Sequence, residues 1–153
     1  MKLSKNLSLS EVVKSTTATR LGIDNTPTGE HITNLIYLAN EIFQPIRDHF
    51  NAPIFISSGY RSEALNNAIG GSKTSQHSKG QAIDIDNDAV EYPTNRMIFE
   101  YIKSHLEFDQ LIYEFGNDMN PEWVHVSYNK TKNRKQVLRA IKKGGKTSYI
   151  PYG

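Results

Sequence analysis

Cysteine is absent from this 153-residue chain. That excludes disulfide frameworks, thiolate zinc ribbons, iron–sulfur clusters and a cysteine nucleophile, and it leaves the redox compartment open. Long hydrophobic runs are absent as well. No stretch approaches the roughly 18 apolar residues of a membrane span, and residues 1–13 lack the apolar core of an export signal. The expectation is a protein made in the cytoplasm without a signal peptide. There is no internal repeat and no low-complexity segment, and no Pro/Gly/Ser linker is long enough to separate a second domain. Six prolines, ten glycines, 37% hydrophobic and 22% charged residues exclude collagen-like, coiled-coil and wholly disordered chains. A length of this order points to a single domain over 1–153.

Acidic residues are missing from one region only. Residues 130–153 hold eight Lys or Arg and no Asp or Glu, so the formal charge of +2 hides an acidic body followed by a basic segment. Such a segment could approach an anionic cell-wall polymer or be a solvated face. No groove-reading helix and no aromatic-interleaved RNA motif accompanies it, so nucleic acid is not an expected partner, and neither is a membrane. A monomer is expected.

What is present reads as alternating short elements. Ser8 and Glu11 have capping-box spacing ahead of a short helix, and residues 18–29 are rich in turn formers. Thr26 as cap and Pro27 in the first turn predict a helix running to about residue 49. It carries Ile32, Leu35, Ile36, Ala39, Ile42, Phe43 and Ile46 at helical spacing, with a kink at Pro45. A strand over 53–58 is followed by a turn at Gly59-Tyr60-Arg61 and a small helix capped by Ser62 and ended at Gly70-Gly71. Residues 72–80 have little apolar content and read as a surface loop.

Residues 81–86 alternate with period two, placing Ile83 and Ile85 on one face and Asp84 and Asp86 on the other. A helix near 94–106, strands near 109–115 and 123–128, and a hairpin in the tail complete the pattern. Neighbouring strand pairs with helices mostly ahead of them predict an α+β fold, a small antiparallel sheet with helices packed on one side.

Three residues stand out as a candidate metal site: His77 in the polar loop, Asp84 in the strand after it and His125 in a late strand. Two imidazoles and a carboxylate suit a catalytic zinc, which keeps a fourth position for water. On the residues alone, a half-buried histidine bonded to a neighbouring strand explains His125 equally well. His31 lies in the first turn of the long helix, while His49 and His105 lie near helix C-terminal ends, where a protonated imidazole suits the dipole.

The stretch Ser75-Gln76-His77-Ser78-Lys79-Gly80-Gln81-Ala82-Ile83-Asp84 resembles the S-x-H-x-x-G-x-A-x-D signature of the zinc D-Ala-D-Ala carboxypeptidase family. That family includes dipeptidases, phage endopeptidases and the hedgehog signalling domain. Ser58-Gly59-Tyr60-Arg61-Ser62 is similar to its S-G-Y-R-S segment. Phe108 to Ile112 and Trp123-Val124-His125-Val126 resemble its late strand pair, and the order of segments is similar from about Leu7 to Tyr149.

The resemblance implies a hedgehog/DD-peptidase-like fold and one zinc ion per chain, held by His77, Asp84 and His125. It implies that Arg61 polarises the scissile carbonyl or binds a substrate carboxylate, and that Ser75 contacts substrate. For the catalytic base it offers Glu122, three residues before the last ligand; on a regular strand residues 122 and 125 would face opposite sides, so Glu122 must lie before the strand, as Pro121 allows, and Glu114 is the rival. Asp86 and Ser127 are candidates to orient the histidine ligands.

The implied activity is zinc-dependent hydrolysis of an amide bond in the peptidoglycan stem peptide, one that involves a D-amino acid. Carboxypeptidase and endolysin-type endopeptidase are both open. Such a protein would act on the cell wall after release, as phage enzymes do, or by a non-classical route. The alternative is a zinc-containing cell-wall-binding or virion structural domain without catalysis.

Overall fold

The computed structural model describes residues 1–153. A short hairpin, β1 (Lys2–Ser4) and β2 (Leu7–Ser8), leads directly into α1 (Leu9–Val13). The start signal works as spaced: the Glu11 carboxylate accepts from the Ser8 hydroxyl at 2.9 Å and from the Ser8 N–H at 3.4 Å. Helix α2 (Thr16–Leu21) follows and takes up some of the stretch expected to be turns. Ser15 caps it by accepting from the Ala18 N–H, and Gly22 ends it at φ 66°. A helix of six residues is too short to show a period, so only its cap and its stop are visible in the sequence.

The long helix begins two residues later than expected. Thr28, not Thr26, accepts from the His31 N–H, while the Thr26 hydroxyl is turned to Asp24. It runs as α3 (Gly29–Leu38), one π-helical turn (Ala39–Phe43) and α4 (Gln44–Phe50). Pro45 accounts for the π turn. Its ring would clash with the carbonyl four residues back and it has no N–H to give, so the wider turn just before it keeps the helix continuous.

Next come β3 (Ile56–Ser58), α5 (Glu63–Ala68) capped by Ser62, and a 3-10 turn at Gln76–Lys79 within the segment expected to be open loop. Then follow β4 (Ala82–Ile85), α6 (Asn95–His105), β5 (Gln110–Glu114), β6 (Trp123–Ser127), β7 (Gln136–Lys143) and β8 (Lys146–Pro151).

Six strands form one sheet in the order β3-β4-β6-β5-β7-β8. All pairs are antiparallel except β5 and β7, which run parallel, so the expected α+β fold carries one parallel pairing in its sheet. The cause is the segment between β6 and β7. It returns the chain to the start of β5, where the Lys135 N–H donates to the Phe108 carbonyl and the Gln136 N–H to that of Asp109. The basic tail is therefore two strands of the sheet.

Alternation along the strands divides the sheet into two faces. Ile83, Ile85, Leu111, Tyr113, Val124 and Val126 turn toward the helices. They join Leu35, Ile42, Ile98 and Phe99 in one buried cluster of 23 residues. Each such side chain contributes about 1.5–3 kcal/mol on leaving water. The residues between them, Asp84, Ile112, Glu114 and His125, face the other way, onto a side that no helix covers.

Candidate active-site cleft

Asp84 on β4 and His125 on β6 are direct cross-strand partners, which is why their side chains meet. His125 Nδ1 lies 3.0 Å from Asp84 Oδ1. His77 comes from the 3-10 turn, and its Nε2 lies 3.4 Å from the same oxygen. The two imidazoles and the carboxylate thus form one group whose ligand atoms all lie within 4.8 Å of one another.

The chain fixes His77 from three sides. The Ser75 hydroxyl accepts from the His77 N–H, and Gly80, at φ 73°, ends the turn where a Cβ would meet the His31 carbonyl at 2.5 Å. The third contact sets the tautomer. His77 Nδ1 lies 2.8 Å from the Gly59 carbonyl, which can only accept, so Nδ1 carries the proton and the Nε2 lone pair faces Asp84. Gly59 itself must be glycine: a Cβ there would stand 2.3 Å from the Val12 carbonyl oxygen.

Burial pushes the His77 pKa down despite the neighbouring Asp84, so the ring stays neutral and its lone pair is free. Burial pulls the Asp84 pKa up, but the two imidazoles outweigh it and hold the carboxyl below its ordinary value. A neutral His77 ring and an ionised Asp84 carboxylate are protonation states a metal needs. The spacing fits as well. Zinc bonds of about 2.0–2.1 Å in a tetrahedron put ligand atoms roughly 3.3 Å apart, close to the 3.4 and 3.0 Å found here. The residues present fit the ion.

A cleft of about 830 Å³ opens over this group. Arg61 and Ser75 line it on the β3 side. The Arg61 backbone N–H donates to the His77 carbonyl at 3.2 Å, and its buried Nε has no hydrogen-bond partner. Burial lowers its pKa while Asp84 opposes the shift; a guanidinium remains charged throughout.

Glu114 is the carboxylate inside the cleft. It ends β5 on the open face, is only 6% exposed, and burial raises its pKa to about 7. Of the two candidate bases, Glu114 lines this cleft and Glu122 does not. Glu122 is exposed and lines an adjoining cleft with Arg139, one that shares Phe115, Trp123 and Lys142 with this one. Its backbone is occupied too, the N–H donating to the Glu114 carbonyl and the carbonyl accepting from Asn95. Glu122 stands in the bend just before β6, which opens at Trp123.

Asp86 and Ser127 do not touch either histidine. Asp86 lies just past β4 and accepts from the Asp88 N–H and from Asn95 Nδ2. The Ser127 hydroxyl exchanges hydrogen bonds with the Gln110 backbone. His31 meets the Tyr60 hydroxyl, while His49 and His105 stack with Tyr101, all away from the cleft.

Sequence reasoning missed three features: the Gly59 carbonyl, the Asp109 carboxylate and the β7–β8 side of the cleft. Asp109 is buried and accepts from Gln76 Nε2 at 2.8 Å and from Arg134 Nε and Nη2 at 3.0 and 2.9 Å. Those hydrogen bonds, Arg134 foremost, hold its pKa at about 2. An aspartate opening an apolar strand was the available signal. For the hairpin side chains there was none, because the register that delivers them is not visible in sequence.

No curated protein matches the chain. A family model described as Peptidase M15 matches residues 5–127, which spans the three candidate ligands, Arg61, Ser75 and Glu114 and stops before β7.

Proposed function

Because the chain belongs to the peptidase M15 family of metallopeptidases, we propose that it hydrolyses an amide bond in the stem peptide of peptidoglycan, next to a D-amino acid. The observation that carries this reading is the convergence of His77 Nε2 and His125 Nδ1 on Asp84, in a cleft that also holds Glu114. We assign one zinc ion to His77, Asp84 and His125. When bound there, zinc supplies Lewis acidity and makes hydroxide available near neutral pH.

The chain's own residues do the rest. Glu114, with a pKa near 7, takes a proton from the attacking water and returns it to the amine nitrogen as the C–N bond breaks. Arg61 offers its donors to the carbonyl oxygen as that oxygen gains charge. Ser75 stands at the same rim and can bond the substrate backbone, although its hydroxyl already caps the turn that bears His77. The basic residues of 130–153 that keep no acidic partner, Lys130 and Lys132 among them, are assigned to contact with an anionic wall polymer. Release by a phage-type route fits a protein in which no helix is long and apolar enough to cross a membrane.

The test is a zinc assay paired with digestion of purified peptidoglycan, with and without chelator, and mass spectrometry of the released peptides. The expected result is about one zinc per chain and chelator-sensitive release, with the fragment masses naming the bond. One zinc with no cleavage of any wall type would overturn the peptidase reading in favour of a binding domain.

A further inference from the structure

The family match ends at Ser127, yet one wall of the cleft is built from later residues. Cross-strand register shows how. Trp123 pairs with Glu114, Glu114 with Ala140 and Ala140 with Tyr149, so these four share one row on the open face. Two strand spacings, about 10 Å, separate the backbones of Glu114 and Tyr149. Only the methyl group of Ala140, itself fully buried, lies between them, and the phenol leans over it into the cleft.

The next position on the same face is Lys142, paired with Thr147. Its Nζ lies 3.5 Å from the Thr147 hydroxyl and 5.2 Å from the centre of the Phe115 ring, and no carboxylate of the protein pairs with it. Arg134, also at the cleft, differs because Asp109 holds it. Phe115, which presents its ring to Lys142, has φ 56°, a conformation that costs a non-glycine residue free energy and that clusters at functional sites.

The sheet therefore sets out the cleft in order: Arg61 by the β3 edge, the three candidate ligands on and beside β4 and β6, Glu114 on β5, and Lys142 and Tyr149 on the β7–β8 hairpin. Two cations without acidic side-chain contacts at hydrogen-bond distance, Arg61 and Lys142, stand on opposite sides of the reacting groups. A substrate lying across the strands meets one on each side of its scissile amide.

We propose that the β7–β8 hairpin is the specificity wall of this cleft, Lys142 receiving a carboxylate on the peptide substrate and the Tyr149 hydroxyl donating to a peptide carbonyl beside it. Tyr149 is suited to donate: partial burial and the charges of Glu114 and Asp84 raise its pKa, so the phenol keeps its proton. This assignment rests on the reading of the cleft as an amide-hydrolase site and adds to it the acidic class of substrate and the residues that select it.

The experiment uses the full-length zinc-loaded protein, since β7 pairs with β5 and truncation would test folding instead. Two synthetic peptides are compared that differ only in a carboxylate or a carboxamide on the residue flanking the scissile amide. The expected result is a higher kcat/KM for the carboxylate peptide, carried mainly by KM. Lys142→Met should lower that preference by about fivefold, the size of one partly exposed ion pair. Tyr149→Phe should weaken both peptides without changing their ratio. Equal kcat/KM for the two peptides, or an unchanged ratio in Lys142→Met, overturns the proposal. Calorimetric titration of the same peptides into Glu114→Gln separates the two levels. A carboxylate preference in binding that Lys142→Met abolishes, with no cleavage by the wild type, would overturn the hydrolase and leave the wall standing. Equal binding would overturn the wall.

Discussion

Glu114 and Glu122 have the same side chain and lie eight residues apart, but their environments differ, and the proposed base is the one whose environment suits the role. Glu114 is shielded and near-neutral in pKa, so it can both take and return a proton at physiological pH, whereas Glu122 is exposed beside another cleft. Glu114→Gln should keep zinc and lower kcat by about 10²–10⁴-fold, while Glu122→Gln should stay within about twofold of wild type. Stopped-time peptide release with a parallel zinc assay decides between them, and a large loss in Glu122→Gln would return the role to that residue.

The same burial carries a pH signature in the metal-free protein. The folded pKa of about 7 lies above the ordinary 4.5, so the folded state holds the Glu114 proton where the unfolded chain has lost it. Glu114 therefore contributes stability that is full below about pH 4.5 and is lost as pH rises through about 7. His77 has the opposite sign, since its lowered pKa costs stability as pH falls below about 6.5. Comparing Tm of wild type and Glu114→Gln from pH 4 to 8 in chelator isolates the glutamate: wild type should lose stability relative to the variant as pH rises. A pH-independent difference would show that folding does not shift the Glu114 pKa.

Among the elements, one buried carboxylate joins three of them. Asp109 opens β5, accepts from Gln76 beside His77 and holds Arg134 ahead of β7. Asp109→Asn would turn a donor toward one of these donors, and should cost about 2 kcal/mol in urea unfolding and weaken zinc binding through the His77 turn. Full zinc affinity in a destabilised Asp109→Asn would confine its role to folding.

At this scale the sequence was legible where signals are local. The Ser8–Glu11 cap, the Ser62 cap, α6 and β4 follow from spacing and turn chemistry alone, and parity already put Asp84 off the core face. Long-range features were not legible. The parallel pairing of β5 with β7 depends on where residues 128–135 cross, the burial of His77 on a carbonyl contributed by Gly59, and the shift of the helix start from Thr26 to Thr28 on which hydroxyl finds a free N–H. Spacing to a ligand is a one-dimensional cue, so it could not say that Glu122 stands in the bend before β6 and lines the adjoining cleft.

At the scale of the whole molecule, the basic segment is bound into the fold. Arg134, Lys135 and Arg139 pair with Asp109, Glu107 and Asp118, so acidic groups upstream answer some of its charge. The sheet that results has one face sealed by helices and one left for chemistry, and a metal in that open face must link His77, β4 and β6, elements far apart in the chain. Those elements meet only in the folded chain, so a zinc ion held by them would stabilise the fold by mass action, about 2.7 kcal/mol at a free concentration a hundred times its Kd. For a chain of this length that corresponds to roughly 5–10 °C in Tm. Removing zinc should lower Tm by that amount and adding it back should restore it. His77→Ala should unfold at the same temperature with or without the metal, because the turn that carries His77 is the only one of the three supports that the sheet does not itself hold in place.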